Sequence, residues 1–288
     1  MMDRKQVERE FHDRLRTIGD DPHVSDTRWS PKMEKTVRAN PLWANMKYYA
    51  IERRSRDTVL SWYDSNVDGR SVLDYCCGNG EDGVLIAQKG AKEVVGIDLS
   101  GVSVENAHRL AVREGVADKV THQVADAEAT GFSDNRFDII TEYGSLHHVD
   151  LHLAFAEMAR VLKPDGKAIC QEALAHNLLI HAYRRLTPKL RTPWEVDHIL
   201  RRSSFKVAES YFGRIEMKFF HLFSLFAVPF RNTPLFVPLL AVLELLDDVM
   251  LRVPGLKWQA WQTVFVLSEP RKNATGATPG EPLAEGQE

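Results

Sequence analysis

The chain has 288 residues, of which 44% are hydrophobic and 27% are charged, a balance typical of a globular protein with one sizeable core. Its formal net charge of −3 gives no overall attraction to phosphate backbones, so no nucleic-acid partner is expected. The three cysteines, Cys76, Cys77 and Cys170, are too few and too poorly spaced for a disulfide framework, which indicates a reducing compartment.

The N-terminal part, residues 1–63, is predicted to be a helical cap. A charged helix is expected from Asp3 to about Arg16, irregular structure follows to Pro41, and a helical pattern returns from Lys47 to Tyr63. The charged start lacks the apolar stretch of a signal peptide, and no run of about 18 apolar residues suits a membrane span. We therefore expect a cytoplasmic protein.

Strands and helices alternate in residues 64–270, which predicts a single α/β domain. The predicted strands are Ser71–Tyr75, Glu93–Asp98, Val120–Ala125, Asp138–Glu142, Lys167–Glu172, Phe205–Phe212 and Thr263–Leu267. The predicted helices begin near Asp82 and span Ser103–Glu114, Leu151–Leu162 and about Pro193–Arg202. This alternation is typical of a parallel sheet with helices on both faces.

Two further segments lie outside this pattern. Residues 213–257 carry two apolar stretches interrupted by prolines, and we interpret them as a helical insertion between the last two strands. Large apolar groups from Phe219 to Phe226 would lie nearly all round one helix, and Leu239–Met250 would form a second. Residues 271–288 are rich in Gly, Pro, Ala and Glu, a composition that predicts a disordered tail.

A glycine-bearing turn follows the first predicted strand in VLDYCCGNG, Val72–Gly80. Such a turn lets the backbone approach a ligand at the carboxyl end of a strand, although it is also compatible with a simple tight turn. Asp98 ends the next strand, where a carboxylate can accept both hydroxyls of a ribose or cap the following helix. Asp126 follows the third strand, where it would face the same crevice or lie in a solvated loop.

These residues resemble the class I S-adenosylmethionine-dependent methyltransferases, in particular the group that includes the ubiquinone and menaquinone biosynthesis enzymes. The motifs in family order are LDYCCGNG, GIDLS, VADAE, FDIITEYGSLHHV and RVLKPDGKAI. The resemblance implies a Rossmann-like, seven-stranded, mostly parallel sheet with an antiparallel last strand, and S-adenosyl-L-methionine as cofactor. It also implies cofactor contacts at Asp74, Cys76, Gly78 and Gly80 for the methionine end, Asp98 and Leu99 for the ribose, Asp126 and Ala127 for the adenine, and Tyr143.

One position departs from the family pattern, because Cys76 stands where the first glycine of the turn is usual. We interpret Cys76 as small enough and in an allowed backbone region, rather than as a redox or catalytic group. A dinucleotide-dependent oxidoreductase is the competing use of such a crevice. It would need a G-x-G-x-x-G turn, which does not follow the first strand here.

Candidates for acceptor chemistry follow the fourth and fifth strands. His148 is the first choice for a general base and His147 the second, although both histidines could simply pack. The other candidates are Glu172, His176, His181 and Phe223 for substrate binding, and Tyr48 and Tyr49 for closing the pocket over the cofactor. Arg184, Arg185, Lys189 and Arg191 form either a basic patch for an anionic acceptor or a solvated face. No spacing matches a zinc site, so no metal ion is predicted.

The predicted function is methyl transfer from S-adenosyl-L-methionine to a small-molecule, hydrophobic or lipid-like acceptor, with O-methylation favoured. N- or C-methylation of a natural product remains open, as does a non-catalytic, cofactor-binding regulatory role. The apolar insertion suits either a structural subdomain or an acceptor lid with peripheral membrane contact. The oligomeric state is not predicted.

Overall fold

A computed structural model describes residues 3–17, 34–35, 38 and 41–272 of the chain. The helices of the described residues are α1 (Arg4–Thr17), α2 (Arg53–Asn66), α3 (Glu81–Gln88), α4 (Gly101–Arg113), α5 (Leu151–Val161), α6 (Leu178–Leu186), α7 (Pro193–His198), α8 (Arg202–Tyr211) and α9 (Phe236–Met250). The strands are β1 (Ser71–Tyr75), β2 (Glu93–Asp98), β3 (Val120–Val124), β4 (Phe137–Tyr143), β5 (Leu162–Ala173), β6 (Phe212–Phe220) and β7 (Gln262–Pro270).

The seven strands form one sheet in the order β3-β2-β1-β4-β5-β7-β6. The first five pair in parallel, and β7 runs antiparallel to both β5 and β6. The predicted fold class is therefore confirmed. Since β1 lies at the point where the strand order reverses, its carboxyl end opens into the crevice where α/β sheets bind ligands.

Buried apolar residues on both faces of the sheet hold the domain together. Leu73, Ile140 and Phe155 lie in the core on one face, and Val72, Val94 and Ile139 lie in the core on the other. Successive residues of β1 and β4 thus point to opposite faces, and both faces are covered by helices. A strand buried on both faces reads as a continuous apolar run, which is why these strands were predictable.

The predicted strand Phe205–Phe212 is wrong, because these residues belong to helix α8 and β6 begins at Phe212. Phe205, Ala208 and Tyr211 recur at helical spacing and are buried. The Ser204 hydroxyl accepts a hydrogen bond from the backbone N–H of Arg201 at 3.0 Å, which is the reciprocal half of a helix capping box. The spacing of apolar residues in such a short run fits either a strand or a helix, and the capping box at Arg201 and Ser204 favours the helix.

The helical insertion is shorter than the predicted residues 213–257. Residues 213–220 belong to β6, so Phe219 and Phe220 pair with Thr263 and Gln262 of β7 instead of starting a helix. His221 then turns the chain with φ of +67°, and a 3₁₀ helix, Ser224–Phe230, precedes α9. The edge of β7 supplies backbone partners for the Phe-rich segment, which outweighs its all-round apolar helix pattern.

The ends of the chain agree only in part with the sequence predictions. α1 is helical as expected, and the 3₁₀ helix Pro41–Ile51 precedes α2. Most of the predicted irregular stretch before Pro41 lies outside the described residues. Arg271 and Lys272, assigned to the tail, are anchored by hydrogen bonds to Tyr211 and Leu162, and the rest of that segment lies outside the described residues. No described helix has the length and apolar character that a membrane span requires.

Candidate cofactor and acceptor site

Two adjoining cavities lie at the carboxyl ends of β1, β2 and β4, one of about 100 Å³ and one of about 340 Å³. Cys76, Tyr143 and His148 contribute to the walls of both. The smaller cavity reaches the ends of β2 and β3, and the larger one reaches towards α2 and the strand β7. Two cavities with a common wall suit two ligands that meet.

The smaller cavity brings together the residues predicted for the nucleoside: Asp98, Leu99, Asp126 and Ala127. The Asp98 carboxylate accepts hydrogen bonds from the backbone N–H groups of Gly78 at 3.0 Å and Ser100 at 2.8 Å. It therefore links the glycine turn to the end of β2. Burial raises the pKa of Asp98 above its ordinary value, and the two backbone donors offset part of that cost.

Helix α1 closes the smaller cavity from above, a role that the sequence did not reveal. Lys5 contacts Asp126 and also the Glu128 carboxylate, at 2.8 Å, and Asp13 accepts a hydrogen bond from the Ser100 hydroxyl at 2.5 Å. Arg4, Glu8, His12 and Arg16 also line this cavity. The only sequence signal was the helical spacing of these charged side chains, which is equally typical of a solvated helix face.

The glycine turn approaches the larger cavity through Gly78, while Gly80 has φ of +82° and precedes α3. Asp74, at the end of β1, lines this cavity and accepts a hydrogen bond from the backbone N–H of Gly83 at 3.0 Å. A Cβ atom on Gly78 would lie 3.0 Å from the Arg16 guanidinium. A side chain at position 78 would therefore crowd Arg16, and glycine leaves room for the Arg16 guanidinium above the turn.

Cys76 adopts a left-handed backbone conformation, with φ of +59°. This left-handed region is small but allowed for L-residues, and residues other than glycine pay roughly 1–2 kcal/mol in it. Burial raises the pKa of the Cys76 thiol well above its ordinary value, so the thiol stays protonated. A protonated buried thiol is a poor nucleophile, which agrees with a packing role for the side chain.

This geometry predicts a reversed order of stability at position 76. Alanine normally stabilises a protein by about 0.5–1 kcal/mol relative to glycine. At φ of +59°, Cys76→Gly should instead be more stable than Cys76→Ala by about 1 kcal/mol. Urea unfolding of both variants measures the difference, and an alanine variant as stable as the glycine variant would contradict the assigned strain.

The larger cavity is walled by aromatic and carboxylate side chains. Tyr49 and Tyr143 pack edge to face, with ring centroids 6.1 Å apart, and the Tyr143 hydroxyl donates to the Glu52 carboxylate at 2.5 Å. Gln262 donates to the other Glu52 oxygen, and the Arg56 guanidinium lies 5.1 Å above the Tyr143 ring. Burial raises the pKa of Glu52 to about 7. Tyr49 thus lines the larger cavity, whereas Tyr48 packs on Tyr183 and Trp261.

The raised pKa of Glu52 predicts a loss of stability at neutral and alkaline pH. Between the ordinary pKa of 4.5 and the folded value of about 7, the unfolded chain has released this proton and the folded chain retains it. Stability should therefore fall across that window, by roughly 2 kcal/mol between pH 5 and pH 8. Urea unfolding at both pH values should show a fall in stability that is about 2 kcal/mol larger in the wild type and in an exposed control, Glu209→Gln, than in Glu52→Gln, because the other buried carboxyl groups contribute equally to all three proteins. Parallel pH profiles for all three proteins would contradict it.

His147 and His148 are each held by a buried carboxylate. Nδ1 of His147 lies 2.9 Å from Glu172 Oε2, and Nδ1 of His148 lies 2.9 Å from Glu8 Oε2. Burial, reinforced by neighbouring His148, lowers the pKa of His147 to about 3. Burial is also the largest single effect on His148 and lowers its pKa, but the hydrogen bond to Glu8 and the charges of Glu195, Glu8 and Glu172 together outweigh it, so the pKa of His148 is raised.

Glu172 lies behind His147, where it also accepts the backbone N–H of Leu146 at 2.6 Å. It belongs to neither cavity wall and orients the histidine instead. Glu142 lies beside it and accepts the backbone N–H of Ser145 at 2.6 Å. Burial raises the pKa of both carboxyl groups, so one of this pair retains a proton at neutral pH.

The remaining acceptor candidates lie apart from both cavities. His176 accepts a weak hydrogen bond from the backbone of Arg202, His181 is exposed on α6, and Phe223 packs where Asp247 caps its backbone. The basic residues Arg184, Arg185, Lys189 and Arg191 do not form one patch. Arg184 is buried enough to lower its pKa to about 10, whereas Arg185 and Lys189 point to solvent.

The strand order, the reversed β7, the glycine turn after β1 and the carboxylate ending β2 together define the class I methyltransferase fold. Residues 72–166 match the model of a family described as methyltransferase domain. This segment is a class I methyltransferase domain, and the predicted resemblance to the S-adenosylmethionine-dependent family is confirmed.

Individual relatives agree with this assignment over part of their length. The chain is 37% identical over 100 residues to 27-O-demethylrifamycin SV methyltransferase of Amycolatopsis mediterranei, covering 34% of this chain and 37% of that protein. It is 30% identical over 168 residues to O-methyltransferase resE of Aspergillus sclerotiorum, covering 56% and 63%. The chain thus spans less than two thirds of these relatives.

A solved structure extends the likeness of the fold to nearly the whole chain. Geranyl diphosphate C-methyltransferase of Streptomyces coelicolor A3(2), in complex with Mg²⁺, geranyl diphosphate and S-adenosyl-L-homocysteine, has a TM-score of 0.60 and covers 93% of this chain and 98% of its own. At 14% identity the match concerns the fold alone.

Proposed function

We propose that this protein transfers a methyl group from S-adenosyl-L-methionine to a hydroxyl group of a small hydrophobic or lipid-like molecule. The observation that carries the proposal is the pair of joined cavities. One is walled by Asp98, Asp126 and the end of β2, and the other by aromatic side chains. With the cofactor's nucleoside in the first cavity and its methionine end reaching into the second, the methyl group would meet an acceptor at the shared wall.

The residues present fit this cofactor. Asp98 offers carboxylate oxygens for ribose hydroxyls, and Asp126 offers an acceptor for an adenine amino group. Arg16 reaches over the glycine turn, and its Nε is buried without a hydrogen-bond partner among the described residues. A guanidinium with an unused buried donor at this position is suited to a ligand carboxylate. Asp74 and Glu52 line the larger cavity, where their carboxyl oxygens could accept hydrogen bonds from the ligand's amino group.

The bound cofactor supplies a methyl group already activated on a sulfonium. The protein must therefore hold the acceptor oxygen in line, exclude water and remove one proton. In this proposal His148 accepts that proton at Nε2, because its Nδ1 is held by Glu8 and its raised pKa makes it the better base of the two histidines. His147, held by Glu172, stays neutral and positions the hydroxyl.

The wall of the larger cavity favours an apolar acceptor. Leu42, Trp43, Met46 and Trp261 contribute to it along with Tyr49, so the acceptor body would lie against apolar and aromatic groups. O-methylation is preferred over N-methylation because the cavity offers a histidine base. C-methylation and a non-catalytic, cofactor-binding role are the alternatives.

Methyl transfer is tested with S-adenosyl-L-methionine labelled in the methyl group and a panel of lipophilic phenols and alcohols. Label is expected in an ether product, with S-adenosyl-L-homocysteine formed in equal amount, and His148→Gln should lower the rate about 10²- to 10⁴-fold. Label on nitrogen or carbon would establish one of the alternatives. Cofactor binding with no turnover on oxygen, nitrogen or carbon acceptors would favour the regulatory role.

The outer face of α9 suggests where the acceptor comes from. Val242, Leu245 and Val249 are 64%, 62% and 61% exposed, whereas Glu244 and Asp247 of the same helix are 1% and 5% exposed. Glu244 binds the Arg53 guanidinium at 2.8 Å, and Asp247 caps the backbone at Phe223 and Ser224. The helix thus turns Glu244 and Asp247 inward and these three apolar residues outward, and the exposed Asp248 is paired with Arg54, which suits peripheral contact with a lipid surface.

Sedimentation with vesicles of phosphatidylcholine and phosphatidylglycerol tests this contact. The double variant Leu245→Ser, Val249→Ser should bind at least tenfold more weakly than the wild type, since each buried aliphatic side chain contributes about 1.5–3 kcal/mol. Val112→Ser is the matched control, because Val112 is 57% exposed on α4, away from this face. Equal loss of binding in the control, or none in the double variant, would contradict the proposal.

A further inference from the structure

Three potential metal ligands converge on the wall of the larger cavity. One ring nitrogen of His147, one of His148 and one carboxylate oxygen of Glu195 all lie within 4.8 Å of one another. His147 and His148 are consecutive in the 3₁₀ turn Leu146–His148, with ring centroids 4.3 Å apart. Glu195 lies in the first turn of α7. All three residues line the same cavity.

Each of these side chains has a partner on its far side. Nδ1 of His147 faces Glu172 and Nδ1 of His148 faces Glu8, both at 2.9 Å, and the two carboxylates are 1% and 5% exposed. Nε2 of each ring is therefore the nitrogen left for a ligand. The Glu195 carboxylate pairs with Arg191 Nε at 3.2 Å. Metal-binding histidines and carboxylates characteristically have such outer partners, which fix the ring and raise the basicity of the ligand atom.

We propose that His147, His148 and Glu195 bind a divalent transition-metal ion, of which Zn²⁺ is the best match to two imidazoles and one carboxylate. A cation with bonds of roughly 2.0–2.2 Å needs the three ligand atoms to approach one another by a small side-chain movement. Three protein ligands leave open positions, and these face the cavity, as in catalytic rather than structural metal sites.

The open positions suggest a substrate class. A hydroxyl oxygen bound to the cation would be polarised directly, so an acceptor with a hydroxyl group next to a second oxygen could chelate it. In that case both Nε2 atoms would serve as ligands, and the cation would replace His148 by lowering the pKa of the hydroxyl, whose proton would pass to solvent water as the methyl group moves from sulfur to oxygen. This use of the cation rests on the proposed methyl transfer, whereas binding of the cation does not.

The sequence offered no signal for this site, because Glu195 is distant from the histidine pair and its position depends on α7. A neighbouring group, Glu8, His12 and His148, competes for the same histidine. Its Glu8 carboxylate is already engaged by the Thr192 hydroxyl at 2.5 Å and by His148. The group with Glu195 is preferred because its carboxylate leaves the outer partner of His148 in place.

Binding is tested on the full chain, without cofactor, by calorimetric titration with Zn²⁺ and by the visible absorption of added Co²⁺. The wild type should bind one equivalent at micromolar concentration or tighter, with Co²⁺ bands of low coordination number. His147→Ala and the isosteric Glu195→Gln should weaken binding at least thirtyfold. His198→Ala should change it less than threefold, since His198 stacks on Trp194 and its Nδ1 lies 2.8 Å from the Trp194 carbonyl oxygen, within the same helix. His12→Gln should also change it less than threefold.

Titration of each variant with S-adenosyl-L-homocysteine distinguishes a misfolded variant from one that has lost only the metal site. It also distinguishes failure of the proposed metal site from failure of the proposed function. Cofactor binding without any Zn²⁺ binding in the wild type would overturn the metal site and leave the proposed function standing. Absence of both would overturn both. Unchanged Zn²⁺ affinity in Glu195→Gln, or a loss in His12→Gln that matches the loss in His147→Ala, would also overturn this site, the latter by assigning the cation to the group with Glu8.

Discussion

Replacing Asp98 by alanine should weaken the binding of S-adenosyl-L-homocysteine by roughly 1–3 kcal/mol, equivalent to about fivefold to 150-fold in Kd. Two effects add. The variant lacks the carboxylate oxygens proposed to accept ribose hydroxyls. It also leaves the backbone N–H groups of Gly78 and Ser100, now 3.0 and 2.8 Å from Asp98, without their acceptor, so the turn that faces the cofactor is less well held.

Calorimetric titration compares this variant with two others. Asp98→Asn keeps the shape and one acceptor oxygen, so its affinity should fall between those of the wild type and the alanine variant. Asp118→Ala removes an exposed aspartate from the loop before β3 and should bind like the wild type. An Asp98→Ala protein that binds within twofold of the wild type would show that Asp98 shapes the turn without contacting the ligand.

Replacing Gly80 by alanine should lower the free energy of unfolding by roughly 2–4 kcal/mol, the largest stability effect expected from a single methyl group in this site. Its φ of +82° costs an L-residue roughly 1–2 kcal/mol. In addition, a Cβ atom there would lie 2.8 Å from Ala107 Cβ and 3.1 Å from His122 Nε2. Neither neighbour has a flexible end that can move away, so the helices α3 and α4 would have to separate.

A second glycine separates the cost of the positive φ from the cost of crowding. Gly69 also has a positive φ, +68°, but a Cβ atom there meets nothing within 4 Å. Gly69→Ala should therefore show the backbone cost alone, roughly 1–2 kcal/mol. Urea unfolding of both variants gives the comparison, and equal destabilisation of the two would mean that crowding against Ala107 contributes nothing.

The cofactor half of the site was predictable because its residues follow strands that the sequence marks clearly. Asp74 and Asp98 lie at the ends of β1 and β2, and Asp126 follows the edge strand β3. Parallel strands deliver their carboxyl ends to one edge of a sheet. The glycines mark the turns by their backbone freedom, and Gly80 uses that freedom. Local pattern and topology were thus sufficient to bring these residues to one edge of the sheet, whereas the closure of the smaller cavity by α1 and the left-handed backbone at Cys76 needed the structure.

The acceptor half was less predictable because it depends on contacts between distant segments. Glu8 meets His148 across 140 residues of sequence, and Tyr143 meets Glu52 across 91. No periodicity encodes how α1 and α2 dock over the sheet. The error at Phe205–Phe212 has a related cause, since a short apolar run fits a strand or a helix until its neighbours select one.

A crystal structure of the protein with S-adenosyl-L-homocysteine tests the central claim most directly. The account predicts the ribose hydroxyls on Asp98, the adenine beside Asp126 and Ala127, and the sulfur directed through the shared wall at Cys76 and Tyr143 towards His148. A nucleoside bound elsewhere, or bound here with its sulfur directed away from the larger cavity, would contradict methyl transfer at this site.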